Sequence, residues 1–300
     1  MELGPGRLLR ATAEDLPPAV ASAMSEADPD LGRAVRAAVV SSGIPWSIAS
    51  WGERATSAVL LIHGVTSNLE TFWRLGPAIA ATGRRVVAVD MPGHGRTGNW
   101  RGRHRFADTA ADLAEFIRAA GLDDRGLAVL GHSWGAMIAA GLPAAGLQPA
   151  RLILLDPPAL PVSAMELMTH DPTERHYLDL DEARDAIRRA NPGWPLGDVM
   201  AKASGLTEFD PEAARAVLID NGDWDGGLGV LEDPAARDVP VWLIRGEFPT
   251  GGMIPDDVVP RFGERIGPDH VITIADGPHS PQRTHPEATV LAILQALGLA

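Results

Sequence analysis

The chain has 300 residues, 45% of them hydrophobic, enough for one large core with an inserted subdomain. It contains no cysteine, which excludes a disulfide framework, a thiolate nucleophile and Cys-ligated metals. A formal net charge of −13 argues against nucleic acid, whose phosphates require a basic face, and no apolar run approaches the ~18 residues of a membrane span.

Residues 1–33 read as an N-terminal extension. Met1-Glu2-Leu3-Gly4-Pro5-Gly6 lacks the cationic start and apolar stretch of a secretory signal, so a cytoplasmic location is expected. Residues 11–16 and 19–28 carry some helical periodicity, punctuated by Pro17-Pro18 and Pro29. Strands are expected over 35–40 and 46–51, the second alternating as a half-buried strand near an edge does. The apolar run Ala58-Val59-Leu60-Leu61-Ile62 then leads into His63-Gly64-Val65-Thr66. A helix is expected over 71–81. The strand Arg85-Val86-Val87-Ala88-Val89-Asp90 follows and runs into Met91-Pro92-Gly93-His94-Gly95.

After a helix over 107–120, the strand Leu127-Ala128-Val129-Leu130 meets Gly131-His132-Ser133-Trp134-Gly135, and a helical stretch follows. A G-x-S-x-G turn between strand and helix holds a serine as an exposed nucleophile at the end of a sheet. The turn is too sharp for a Cβ at either glycine, and the new helix aims its amides at charge forming beside the serine. Another strand is Leu152-Ile153-Leu154-Leu155, ending at Asp156. The strand rhythm then stops until Val239-Pro240-Val241-Trp242-Leu243-Ile244, an interval far longer than the usual α/β connection. Within it, residues 181–190, 195–203 and 211–219 read as helical. The last strand, Val271-Ile272-Thr273-Ile274, precedes Asp276-Gly277-Pro278-His279-Ser280-Pro281. Strand–helix alternation of this kind implies a mostly parallel sheet with helices on both faces.

Four of these segments, in this chain order, resemble the α/β-hydrolase superfamily. They are His-Gly after the third expected strand, Asp-x-Pro-Gly-His-Gly after the fourth, the serine elbow after the fifth and a histidine after the eighth. The resemblance covers roughly residue 34 to the C-terminus. It implies an α/β fold: a mostly parallel eight-stranded sheet flanked by helices, with a helical cap inserted after strand six. The cap is placed at 157–236, between core segments 34–156 and 237–300. Such a cap covers the serine with apolar walls, for which Leu160, Met165, Met168, Tyr177, Trp194, Met200, Trp224 and Leu228 are candidates.

A serine hydroxyl is a poor nucleophile at neutral pH and needs a base, itself oriented by a third group. His279 occupies the loop that carries the base in the resembling fold, whereas His63 and His94 belong to structural loops. His132 flanks the nucleophile with its side chain expected to point away from substrate. Two backbone amides, Val65 and Trp134, are the expected oxyanion hole. The acid is where the chain departs from the pattern. The superfamily's Gly-Glu-x-Asp after strand seven is here Gly246-Glu247-Phe248-Pro249, with proline at the acid position. Asp156 and Glu247 remain as alternatives, and the reach demanded by His279 favours Asp156, an arrangement that haloalkane dehalogenases show to be permitted on this fold.

The reading is a serine esterase with a Ser133-His279-Asp156 triad, cleaving esters or lactones of small to medium hydrophobic substrates through an acyl-enzyme. The same triad serves carbon–carbon bond hydrolases, thioesterases and amidases, and a small-molecule receptor could retain it. A serine argues against epoxide hydrolases and dehalogenases, whose alkyl-enzyme chemistry requires a carboxylate there. With no P-loop and no H-E-x-x-H, no cofactor and no metal are expected. The expected partner is a small hydrophobic ester, and a homodimer is left open.

Overall fold

The computed structural model describes residues 6–32, 34–52, 57–98, 102–123, 126–171 and 173–300; Met1 to Pro5, used above against a signal peptide, lie outside them. Nine strands form one sheet: β1 (Arg7–Leu9), β2 (Val35–Ser41), β3 (Ile44–Trp51), β4 (Ala58–Ile62), β5 (Arg85–Val89), β6 (Ala128–His132), β7 (Arg151–Leu155), β8 (Val241–Arg245) and β9 (Val271–Ile274). Their order is β1-β9-β8-β7-β6-β4-β5-β3-β2. Pairing is parallel except where β3 meets β2 and β5.

The helices are α1 (Pro18–Ser25), α2 (Leu75–Ala80), α3 (Phe106–Ala119), α4 (Trp134–Gly141), α5 (Val162–Met168), α6 (Leu180–Ala190), α7 (Leu196–Thr207), α8 (Pro211–Asp220), α9 (Leu228–Leu231), α10 (Val259–Ile266), α11 (Pro281–Thr284) and α12 (Pro286–Ala296). The unbroken apolar run of β4 follows from cover on both faces, because successive residues point to opposite sides. Ala58, Leu60 and Ile62 join the core beneath α3, α4 and α10, while Val59 and Leu61 join the core beneath α1, α2 and α12. β2 is largely exposed and closes one edge in antiparallel fashion, as the alternation of β3 predicts.

At the other edge the structure departs from the eight-strand expectation. Arg7–Leu9 lies parallel to β9, with Leu8 opposite Thr273, so part of the expected N-terminal extension is sheet. Three residues are too few to display a period of two, and only the open edge of β9 reveals the pairing. The rest of the segment contributes α1, whose Val20 and Met24 are buried.

Between β7 and β8 run α5 to α9, with no strand among the described residues. α9 packs on α4 and α10. The turn joining α7 and α8 docks on the loop after β5: Gly95 donates to the Glu208 carbonyl at 2.7 Å and Asp210 to that of Gly93 at 2.8 Å. No helix among the described residues is long and apolar enough to cross a membrane. Register decides what gathers at the carboxyl end of the sheet. Ile62 pairs with Gly131 and His132 with Leu155, so the loops after β4, β6 and β7 emerge side by side. The chain leaves β4 for β5 on one side and returns to β6 on the other, the switch point where open α/β sheets bind ligands.

Candidate active site

Ser133 is held at φ +56°, ψ −123°, a left-handed backbone that a side chain adopts only under local constraint. Its amide donates to the Leu155 carbonyl at 2.9 Å, tying the elbow to β7. A Cβ on Gly131 would lie 2.1 Å from the Gly135 carbonyl oxygen, and one on Gly135 would lie 2.4 Å from that of Ile62. Both glycines are therefore steric requirements of the turn.

His279 Nε2 lies 2.9 Å from Ser133 Oγ, and its Nδ1 lies 2.7 Å from Asp156 Oδ2. A carboxylate only accepts, so Nδ1 carries the proton and Nε2 is left to accept from the serine hydroxyl. Asp156 is fully buried at the end of β7, at φ +46°. Its Oδ1 accepts from the Gly246 amide and its Oδ2 from the Met253 amide, both at 3.0 Å. Glu247 is elsewhere engaged: its carboxylate accepts from the Asp276 amide at 3.1 Å, bracing the loop that carries His279. That segment is tied down, with Glu247 donating to Gly277 at 2.8 Å and His279 to Gly251 at 3.1 Å.

His132 does not point away from this cluster. It lines the cavity at Ser133 and donates from Nε2 to the His279 carbonyl at 2.9 Å, holding the main chain of that residue. The reason is the turn itself, which brings the flanking side chain under the His279 loop.

The loop expected to supply the second oxyanion donor touches the serine. A Cβ on Gly64 would stand 3.1 Å from Ser133 Cβ. Val65 lines the cavity at Ser133 and Trp134 follows the serine as the first residue of α4; among the described residues neither amide is engaged in a hydrogen bond. Two histidines set the loop's course. His63 accepts from the Met91 amide at Nε2 (3.0 Å) and donates from Nδ1 to Gly64 (2.8 Å), while His94 donates from Nε2 to the Val65 carbonyl. Gly93-His94-Gly95-Arg96-Thr97-Gly98 fits dinucleotide-motif spacing, but it opens no helix; α3 starts at Phe106.

Burial lowers the pKa of His63 and of His94 to about 4 from 6.5, and pulls that of His132 well below 6.5. The unfolded chain protonates these rings near 6.5, so it binds more protons than the folded chain below that pH, down to about 4 for His63 and His94. Stability from this source is complete above pH 6.5 and is lost as pH falls through that window, by up to ~1.4 kcal/mol per pH unit for each ring. Asp90, Asp198 and Glu208, raised by burial, act in the opposite direction. The clean measurement is the slope of unfolding free energy against pH. It should flatten in His94→Asn, and an unchanged slope would refute the neutral, buried ring.

A small cavity of about 50 Å³ lies at Ser133, bounded by Gly64 to Ser67, Met168, His279 and a charged group comprising Glu174, Lys202 and Arg283. The wall candidates, each of which could equally serve to join the cap to the core, divide between the two roles. Met168 lines this cavity and Trp194 an adjoining one. Met165, Tyr177, Trp224 and Leu228 instead lie in the core that joins the β7–β8 insertion to the sheet. Apolar helix positions report burial, not which cavity they face. Lys202 and Arg283 were not anticipated; the one signal was that Lys202 is the only lysine among 26 basic residues. Among the described residues no group of three or more His, Asp and Glu is placed to share a metal ion.

The sequence model of the alpha/beta hydrolase family matches residues 59–293. Lipase LipV of Mycobacterium tuberculosis is 28% identical over 263 residues, covering 83% of this chain and 96% of that one. Human epoxide hydrolase 4 is 30% identical over 138 residues; the match spans 45% of this chain and only about a third (36%) of that relative's length. Among solved structures, E-2-(acetamidomethylene)succinate hydrolase superposes with a TM-score of 0.71 at 20% identity, over 88% of this chain and 99% of that one.

Proposed function

The chain belongs to the alpha/beta hydrolase family, and we propose that it is a serine hydrolase cleaving carboxylic esters or lactones through an acyl-enzyme on Ser133. The observation that carries this reading is the continuous hydrogen-bond chain from Ser133 Oγ through His279 to buried Asp156. Ser133 Oγ attacks the ester carbonyl carbon while its proton passes to His279 Nε2. Asp156, accepting from Nδ1–H, stabilises the imidazolium so formed. The carbonyl electron pair moves onto oxygen, where the Val65 and Trp134 amides receive the developing charge; one such donor is worth ~3 kcal/mol. Collapse breaks the bond to the alkoxide, which takes the proton from Nε2. Water then attacks the acyl-enzyme by the same relay, releasing the acid and returning the proton to Ser133.

One relative is named an epoxide hydrolase. Epoxide opening through an alkyl-enzyme needs a carboxylate at the elbow, and this chain has a hydroxyl there. The similarity to a lipase along nearly its whole length supports ester chemistry. The test is multiple turnover of p-nitrophenyl esters of graded chain length. Many product molecules per protein are expected; ligand-dependent movement of the α5–α8 segment without turnover would make the protein a receptor instead.

A further inference from the structure

The cavity at Ser133 shares walls with two larger ones, of which the first also carries His170, Arg175, His176 and Arg215 in its lining. On one side it shares Thr66, Met168 and Glu174 with a cavity of about 270 Å³ whose far walls are Phe209, Ala214 and Leu218. On the other it shares Glu174, Lys202, His279, Ser280 and Arg283 with a second cavity of about 270 Å³ reaching Asn191 and Trp194.

The charges around the second arm do not balance. Glu174 is matched by Lys202, whose Nζ donates to it at 2.5 Å, and by the Thr66 hydroxyl. Asp198 is matched by Arg74 Nη2 at 2.6 Å and by Trp73 Nε1 at 3.1 Å. Arg283 is left over. It is 6% exposed, its Nη2 donates to the neutral Thr71 hydroxyl at 3.0 Å, its buried Nε has no hydrogen-bond partner, and its guanidinium stands 5.1 Å from the centre of the Trp194 ring, a contact that supplies no counter-charge. Among the described residues no carboxylate forms a salt bridge with it. A buried guanidinium without an anion is costly to maintain, and its planar fork is suited to a carboxylate. Burial lowers the pKa of Arg283, against the more distant Asp198 and Glu174, consistent with a cation short of an anion. Ser67 Oγ, also buried without a partner, adds a polar group to the small cavity at Ser133.

We propose that Arg283, flanked by Lys202, is the specificity-determining residue of this site and binds a carboxylate carried on the leaving-group side of the substrate. The inference rests on the serine hydrolase reading for that direction. The departing alkoxide takes its proton from His279 Nε2, so the leaving group lies toward His279, which lines the arm containing Arg283. The acyl group then occupies the arm walled by Met168, Phe209 and Leu218. The preferred substrates are esters of a short apolar acid with an alcohol or phenol bearing a carboxylate.

The test compares 4-nitrophenyl butyrate with 3-carboxy-4-nitrophenyl butyrate, which differ by one carboxylate on the leaving group. The wild type is expected to prefer the anionic ester at least tenfold in kcat/KM, chiefly through KM. In Arg283→Gln the ratio should fall toward one, and Arg283→Lys should keep part of it. Binding of both esters to Ser133→Ala, by calorimetry, reads the same preference whether or not the protein turns them over. Equal affinity for the two esters would overturn the proposal, as would a preference for mono-4-nitrophenyl succinate, which carries its carboxylate on the acyl side. An equal loss on both esters in Arg283→Gln would reduce the residue to a structural role. Turnover without the preference would sink this inference alone; the preference in binding without turnover would sink the hydrolase reading alone.

Discussion

Replacing Ser133 by alanine is expected to abolish ester hydrolysis, by about 10⁶-fold in kcat on the scale seen for a triad nucleophile, while leaving the protein folded. The substitution removes one oxygen whose hydrogen bond is to His279 Nε2, and it keeps the Cβ already tolerated at φ +56°. The elbow is held by the Ser133 amide on Leu155 and by the glycines on either side, none of which changes. Thermal denaturation of the variant should therefore match the wild type closely. A fluorophosphonate probe should label Ser133 in the wild type and leave the variant unlabelled. Labelling at another residue, or activity surviving in Ser133→Ala, would refute the nucleophile.

Asp156→Asn should lower kcat by about 10³–10⁴, the scale seen when an orienting carboxylate becomes an amide. Three donors converge on this buried group: the Gly246 and Met253 amides and His279 Nδ1–H. An amide leaves at least one of them facing another donor, and it removes the negative charge that stabilises the imidazolium. The variant should also lose stability, because a buried donor left unsatisfied costs about 1–3 kcal/mol. Glu247→Gln should cost no more than about tenfold in kcat, some 1.4 kcal/mol. Its oxygen braces the Asp276 amide and an amide oxygen can do the same. The opposite ranking of the two variants would transfer the acid to Glu247.

Ser133 and His279, which the structure brings into hydrogen-bond contact, were legible as candidates because each rests on a local signal. The elbow needs glycine on both sides of Ser133, and His279 follows the last apolar run. Buried strands and amphipathic helices announce themselves by period, so the parallel sheet and the helical insertion after β7 could be read residue by residue. β1 could not, since Arg7–Leu9 pairs with a strand more than 260 residues away and has no period of its own.

By itself the sequence determined the order of eight of the nine strands, the turn that bears Ser133 and the loop that bears His279. Only the tertiary structure brought Asp156, and not Glu247, into hydrogen-bond contact with His279. It did so because β7 lies beside β6, which directs Asp156 into the loops from β8 and β9 while Glu247 turns to Asp276. It also brought Lys202 of α7 and Arg283 of α11 to one wall of the cavity, and set His94 and His132 against the main chain of Val65 and His279. Periodicity records which face of an element is buried. Which distant residues meet, and which buried charge is left without a partner, is settled by packing across the whole chain.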